Sequence, residues 1–278
     1  MGGTATLEPG QVALVTGGGR GLGRVMAQAL AAAGLRVAVA ARSADELAET
    51  LRLMEEGQAW AAAGGPGLAV PADVTDPAAV ARLVAEVESR LGPVSLLVNG
   101  AGILGGTGPM WEADPDAWWR GLEVNLRGPF LVTRAVLPAM IARGRGRVVN
   151  VASSLGLRGF AFASSYGVAK TALIRLTESL ALELAGTGVH VFALMPGIVH
   201  TSLVDSATAD RWVGPHFRRI LEEGRDVPPE GAGKLVVRIA AGEADALSGR
   251  YIGVDDDLTE LARRAAADAA HHTLRLRT

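Results

Sequence analysis

The sequence predicts a single α/β domain: a doubly wound, parallel, seven-stranded sheet with helices on both faces. Two observations predict it. Short β-branched runs alternate with longer Ala- and Leu-rich segments along the 278-residue chain, the pattern of strands joined by crossover helices. The runs are almost continuously apolar, as strands buried on both faces must be, and no repeat or low-complexity linker divides them.

The elements follow in order. After a flexible segment over 1–10, strands are expected at Val12–Thr16, Val37–Ala41, Gly67–Pro71, Ser95–Asn99, Arg147–Ala152, Val189–Met195 and Arg250–Val254. Helices are expected at Gly21–Ala33, Ala44–Glu56, Pro77–Leu91, Pro115–Arg143 and Ser164–Ala185. Asp76-Pro77 and Asp114-Pro115 look like helix starts, with the acid at the cap and proline in the first turn. Between 196 and 229 the pattern weakens, and a long binding loop or lid is expected there. The domain closes near 257, and 258–278 reads as a charged helical tail.

Composition bounds the function. A formal charge of −2 leaves no basic footprint for nucleic acid. With no cysteine, disulfides and thiolate metal sites are excluded. No signal-like leader and no apolar run of bilayer length is present, so a cytoplasmic protein is expected. Asp255-Asp256-Asp257 reads as a helix start and His271-His272 has no ligand spacing, so no metal is expected.

The first strand runs directly into Gly17-Gly18-Gly19-Arg20-Gly21-Leu22-Gly23 and then a helix. Such a turn lets a pyrophosphate approach the backbone and the amino end of the helix. The second strand ends Ala40-Ala41-Arg42, with no acid before Asp45. An acid there suits the ribose hydroxyls of NAD, whereas arginine suits a 2′-phosphate. Arg42 and Arg20 therefore favour NADP, with NAD still open, because arginine is also the general basic residue of this chain.

The chain has two tyrosines and, against 25 arginines, two lysines. One of each falls in Tyr166-Gly167-Val168-Ala169-Lys170, on one face of a helix. A free phenol titrates near ~10, and a neighbouring ammonium is expected to lower it towards acid/base use at neutral pH. A compact ammonium can also donate to ribose hydroxyls from beneath, which a planar guanidinium cannot.

With these motifs in order, the chain resembles the short-chain dehydrogenase/reductase family, in the branch of about this length that carries Tyr-x-x-x-Lys. The resemblance runs from Val12 to Val254 and rests on Thr16-Gly17-x-x-x-Gly21-x-Gly23, Asp73-Val74, Asn99-Gly100-Ala101-Gly102, Asn125, Ser153, Tyr166-x-x-x-Lys170 and Pro196-Gly197. It implies a Rossmann-type fold and a ketoreductase-like enzyme, acting on a small carbonyl or alcohol as a homodimer or homotetramer. Asn125, Ser153, Tyr166 and Lys170 would be catalytic. Gly17, Arg20, Gly21, Leu22, Gly23, Arg42, Asp73, Val74, Asn99, Gly102, Pro196, Gly197, Val199 and Thr201 would meet the cofactor, together with Tyr166 and Lys170. Asp73 would meet the adenine, and Pro196-Gly197-x-Val199-x-Thr201 the carboxamide. Ser153, thirteen residues before Tyr166, fits the family interval better than Ser154. Gly100 and the carboxyl-terminal end depart from the family pattern.

Asn125 supports a separate expectation. Pro129, four residues on, has no N–H to offer the carbonyl of residue 125. That carbonyl could hold a water against Lys170 and relay protons. For the substrate wall, Ser153, Leu155, Phe160, Tyr166 and Trp212 are the candidates. Phe162, Val199, Leu203, His216 and Phe217 would make an apolar pocket; Asp205, Asp210, Arg211, Arg218 and Arg219 a polar one. Trp111, Trp118 and Trp119 are expected to pack elements or subunits together. A dinucleotide-binding sensor without turnover is the alternative function.

Overall fold

The computed structural model describes residues 7, 10–57 and 67–275; the expectation for residues 1–10 lies mostly outside them. Seven strands form one parallel sheet: β1 (Val12–Thr16), β2 (Arg36–Ala41), β3 (Leu68–Pro71), β4 (Val94–Asn99), β5 (Gly146–Val151), β6 (Val189–Met195) and β7 (Tyr251–Gly253). Their order is β3-β2-β1-β4-β5-β6-β7, and every pairing is parallel. The chain winds outwards one way from β1 and then the other way from β4. Loops leaving β1 and β4 therefore diverge and open a crevice at the carboxyl ends of the strands.

Alternation along the strands builds two cores. Ala13 and Val15 face one side, with Val37, Val39, Phe192 and Leu194. There they pack against Met26 and Leu30 of α1 (Gly21–Ala32), Leu47 and Met54 of α2 (Ala44–Glu56), and further helices towards the carboxyl end. Val12 and Leu14 face the other side. They meet Leu83 and Val87 of α3 (Pro77–Leu91) and Val132 and Val136 of a later helix. A period of two is what sends neighbouring residues to opposite layers.

The single helix expected over Pro115–Arg143 is divided. α4 (Pro115–Leu122) passes into a π-turn, Glu123–Arg127, and then α5 (Gly128–Ala142). Asp114 caps α4 by accepting from the Asp116 N–H. At the junction Gly128 N–H reaches back five residues to the Glu123 carbonyl. Pro129 follows at the start of α5 and cannot donate.

The rest of the helical layer is α6 (Ser164–Glu183), α7 (Ser202–Ala209), α8 (Gly214–Glu222), α9 (Glu230–Ala240) and α10 (Leu258–Ala267). The weak-pattern region after 196 therefore contains two short helices rather than one open loop. The tail expected as one helix is helical only to Ala267. Asp257 caps α10 by accepting from Thr259 and Glu260 N–H groups at 2.9 and 3.2 Å. Beyond it, the chain folds back so that His272 stacks on Tyr251. Trp118 joins α4 to α6 through Ser164 at 3.0 Å, whereas Trp111 and Trp119 are exposed. No helix among the described residues is long and apolar enough to cross a membrane.

Candidate active site

Residues leaving β1 to β6 line one cleft of about 650 Å³. Its floor begins at the glycine turn. Gly17 has φ +68, and a Cβ there would meet the Gly100–Ala101 backbone at 2.7–2.8 Å. A Cβ on Gly23 would lie 2.1 Å from the Gly17 carbonyl oxygen. Only glycine lets these two backbones close the turn. Arg20, at the N-cap of α1, makes no side-chain cap, and the first turn of the helix holds no acid. The leading N–H groups of α1 have no side-chain cap, which is the arrangement a phosphate occupies.

Around this floor the cleft gathers Arg20, Gly21, Leu22, Arg42, Asp73, Val74, Gly102, Pro196, Gly197, Val199 and Thr201. Asn99 is not on its surface. It is buried, and donates to Thr133 Oγ1 at 2.9 Å and Asn150 Oδ1 at 2.8 Å. Asn150 in turn donates to Thr177 Oγ1 at 2.9 Å. Asn99 thus ties β4 to β5, α5 and, through Asn150, α6, rather than facing the cleft.

Asp73 lines the cleft with its carboxylate already engaged. Oδ1 accepts from the Thr75 N–H at 2.9 Å and hydroxyl at 2.7 Å, and Oδ2 pairs with Arg120 at 3.0 Å. Burial pushes this carboxyl up, but the Thr75 and Arg120 bonds outweigh it and hold it below the usual range. Arg120 and Val124, also on the cleft wall, were not anticipated. Nothing in the spacing links Arg120 to an aspartate 47 residues earlier.

The reacting end is built on β5 and α6. Ser153 follows β5 with an extended backbone, and its hydroxyl accepts from Leu155 N–H at 3.2 Å. Tyr166 stands in the first turn of α6, with Ser153 close enough to its hydroxyl to favour the phenolate. Burial raises the phenol, and Ser153 only partly offsets this. The ammonium of Lys170 lies 5.5 Å from the phenol ring centroid and donates to the Val151 carbonyl at 2.6 Å. Burial lowers this amine to about 8. The expected depression of the phenol by the ammonium is therefore not a property of the protein alone.

Asn125 is fully buried inside the π-turn. Its amide donates to the Ile103 carbonyl at 2.7 Å and the Gly121 carbonyl at 2.8 Å, and its oxygen accepts from Ile103 N–H at 3.2 Å. A Cβ on Gly102 would lie 2.9 Å from this oxygen and 3.9 Å from the Lys170 amine. Asn125, Gly102 and Lys170 are thus neighbours, although the Asn125 side chain is spent on backbone groups.

At the substrate end, Leu155, Val199, Leu203, His216 and Phe217 line the cleft, joined by Leu104, Ile198 and Arg158. Phe160 and Trp212 do not line it. Phe160 packs behind it on His216, 4.8 Å between rings. Trp212 packs on Phe162 with 5.1 Å between tilted rings and carries the Arg211 guanidinium at 4.4 Å. Of the polar candidates, Asp210 accepts from Thr107 at 2.5 Å and from the Trp212 and Val213 N–H groups. It latches this segment to the loop after β4 rather than facing the cleft. Ser43 and Glu46, beside Arg20 and Arg42, complete the wall. The Ser43-x-x-Glu46 spacing, a helix-start signature, was the available signal for them.

Similarity to known proteins shows the family. A family model for short chain dehydrogenases matches residues 11–212. The short chain dehydrogenase tazN of Aspergillus terreus is 40% identical over 262 residues, covering 92% of this chain. This chain spans only 54% of the length of that relative. A Streptomyces coelicolor protein with a ketoacyl-reductase name is 37% identical, with 89% of this chain and 96% of its own length aligned. The crystal structure of an actinorhodin polyketide ketoreductase variant with NADPH superposes with a TM-score of 0.79 at 35% identity, covering 91% of this chain and 97% of the other. The chain therefore belongs to the short-chain dehydrogenase family.

Proposed function

We propose that this protein is an NADP(H)-dependent oxidoreductase that interconverts a ketone or aldehyde with an alcohol, reduction being the favoured direction. The observation that carries the reading is the meeting of Ser153, Tyr166 and Lys170 with the uncapped amino end of α1 in one cleft. The cradle fits a dinucleotide: two glycines whose Cβ atoms would strike backbone, N–H groups at the head of α1, and two arginines where a 2′-phosphate would lie. A bound reduced nicotinamide supplies the hydride.

The chain's own residues do the rest. The Tyr166 hydroxyl gives its proton to the substrate oxygen during reduction and takes one back during oxidation. Ser153, beside that hydroxyl, holds the same oxygen against it. Lys170, turned towards the cleft from α6, donates to ribose hydroxyls and restores the phenol's acidity once the site is filled. The Asn125 π-turn, one glycine away from Lys170, anchors a water for proton resupply. The apolar wall of Leu104, Leu155, Ile198, Leu203 and Phe217 suits a ketone or secondary alcohol of moderate size. Arg20 and Arg42 favour NADP. Cells commonly keep the NADP pool reduced, which favours reduction, and the relatives named for ketoacyl reduction point the same way.

Tyr166→Phe tests this directly. Turnover of a ketone panel with NADPH should fall about 10²–10⁴-fold, while NADPH binding, followed by fluorescence, stays within about twofold of wild type. NADPH binding with no oxidation by any carbonyl, in wild type and variant alike, would leave the sensor reading in its place.

A further inference from the structure

We propose that Glu46 limits discrimination between NADPH and NADH, because its carboxylate holds Arg20 and competes with a 2′-phosphate for that guanidinium. The inference rests on reading the cleft as a dinucleotide site. The end of the cleft beyond β2 is walled by Arg20, Arg42, Ser43 and Glu46. Arg20 Nη1 lies 3.2 Å from Glu46 Oε1. Two cations and one anion therefore share the place where the sequence alone offered two cations.

The backbone of Glu46 is held in place. A Cβ on Gly19 would touch its Cβ at 3.0 Å and its Oε2 at 3.2 Å, so the side chain lies directly over the glycine turn. Its own carbonyl accepts from Arg24 at 3.3 Å, and Arg24 also donates to the Gly19 carbonyl. Thr50, one helical turn on, donates to the Gly18 and Gly19 carbonyls at 2.9 and 3.2 Å. The first turns of α2 are thus pinned to the loop that would cradle phosphate. A 2′-phosphate arriving there meets a like charge and must take Arg20 from it.

The ordinary role of a glutamate at this position does not account for the contact. Ser43 caps α2 by accepting the Glu46 N–H at 3.3 Å, and in a capping box the glutamate would reach back to the Ser43 N–H. Here the carboxylate is turned to Arg20 instead. The pair is solvent-exposed, 62% and 36% by side chain, so it holds Arg20 weakly and can be exchanged.

Glu46→Gln removes the charge while keeping a residue that suits a capping box. Calorimetric binding of 2′,5′-ADP and 5′-AMP reads the effect without any need for turnover. Affinity for 2′,5′-ADP should rise about fivefold, 5′-AMP should stay within about twofold, and the gain should shrink at high salt. Arg20→Gln should lose 2′,5′-ADP affinity, and adding it to Glu46→Gln should erase the gain. Should wild type bind 2′,5′-ADP and Glu46→Gln bind it no tighter, the role of Glu46 is overturned and the cofactor reading stands. Should wild type bind neither nucleotide, the dinucleotide site itself is wrong and the proposal goes with it.

Discussion

At the scale of single residues, Lys170 carries the clearest electrostatic consequence. It is 5% exposed, donates to one backbone carbonyl, and burial takes its amine from 10.5 to about 8. Below about pH 8 the amine is charged in both folded and unfolded chains, and the folded state carries the whole cost of burying it. Between about 8 and 10.5 only the unfolded chain keeps the proton, so raising the pH favours folding. Tyr166, whose phenol burial raises, acts the other way above pH 10, where only the unfolded chain ionises. Stability should therefore climb from pH 8 to pH 10 through Lys170. Measured by urea unfolding, wild type should gain about 2 kcal/mol over Lys170→Gln between pH 7 and pH 10. The glutamine keeps a donor for Val151, so parallel pH profiles in the two proteins would show that the amine is not paying a burial cost. The same residues show where the sequence was and was not sufficient. Four-residue spacing placed Tyr166 and Lys170 together, but spacing is silent on burial. Burial alone turns the phenol away from neutral acidity and leaves the tuning to whatever fills the cleft.

At the scale of elements, legibility follows how many residues report on one partner. The strands were readable because most of their three to seven residues are apolar and answer to the same two layers, and each observed boundary lies within one residue of the expected one. α7 and α8 were not, because a helix of two turns buries only Val204 and Ala207, or Gly214, Phe217 and Ile220, too few to set a period. The π-turn was half readable: Pro129 announced a break, but the five-residue bond from Gly128 to Glu123 is accompanied by Asn125 binding Ile103 in the loop after β4, a contact that spacing does not show. Glu46 shows the same limit, since its partner is 26 residues earlier on another element. The join between α2 and the glycine turn can be tested at this scale. Thr50 is fully buried, and its hydroxyl serves Gly18, Gly19 and the Arg24 guanidinium, the last at 3.0 Å. Thr50→Val keeps the shape and deletes those bonds. It should cost about 1–3 kcal/mol in urea unfolding and weaken 2′,5′-ADP binding severalfold. Thr50→Ser, which restores the hydroxyl, should recover most of the affinity. Weakened stability with unchanged nucleotide affinity would mean that the glycine turn holds its shape without α2.

At the scale of the whole molecule, the two ends of the sheet have different tasks. The cleft lies across the carboxyl ends of β1 to β6, whereas β7 pairs only with β6 and presents an outer edge. An uncovered edge invites pairing with other chains, and here the last described residues cover it. Tyr251 N–H donates to the His272 carbonyl at 3.1 Å, and the His272 ring stacks on Tyr251 with 4.6 Å between centroids. Arg250 donates to the His271 carbonyl at 3.2 Å. Further along, Leu274 N–H donates to Glu178 on α6, and Arg175 donates to the Leu274 carbonyl at 2.6 Å. The tail therefore ties the last strand to the helix that bears Tyr166 and Lys170, yet none of residues 268–275 lines the cleft. Removing everything after Ala267 should separate these contributions. The shortened protein should melt about 3–10 °C lower, corresponding to about 1–3 kcal/mol for a chain of this size. The Tyr251 amide should exchange with solvent faster, while ketone turnover at 25 °C stays at the wild-type value. A melting point within about one degree of wild type would show that β7 holds its place without the tail. Loss of turnover in a protein that still melts cooperatively would show instead that the α6 end of this tie reaches the reacting residues.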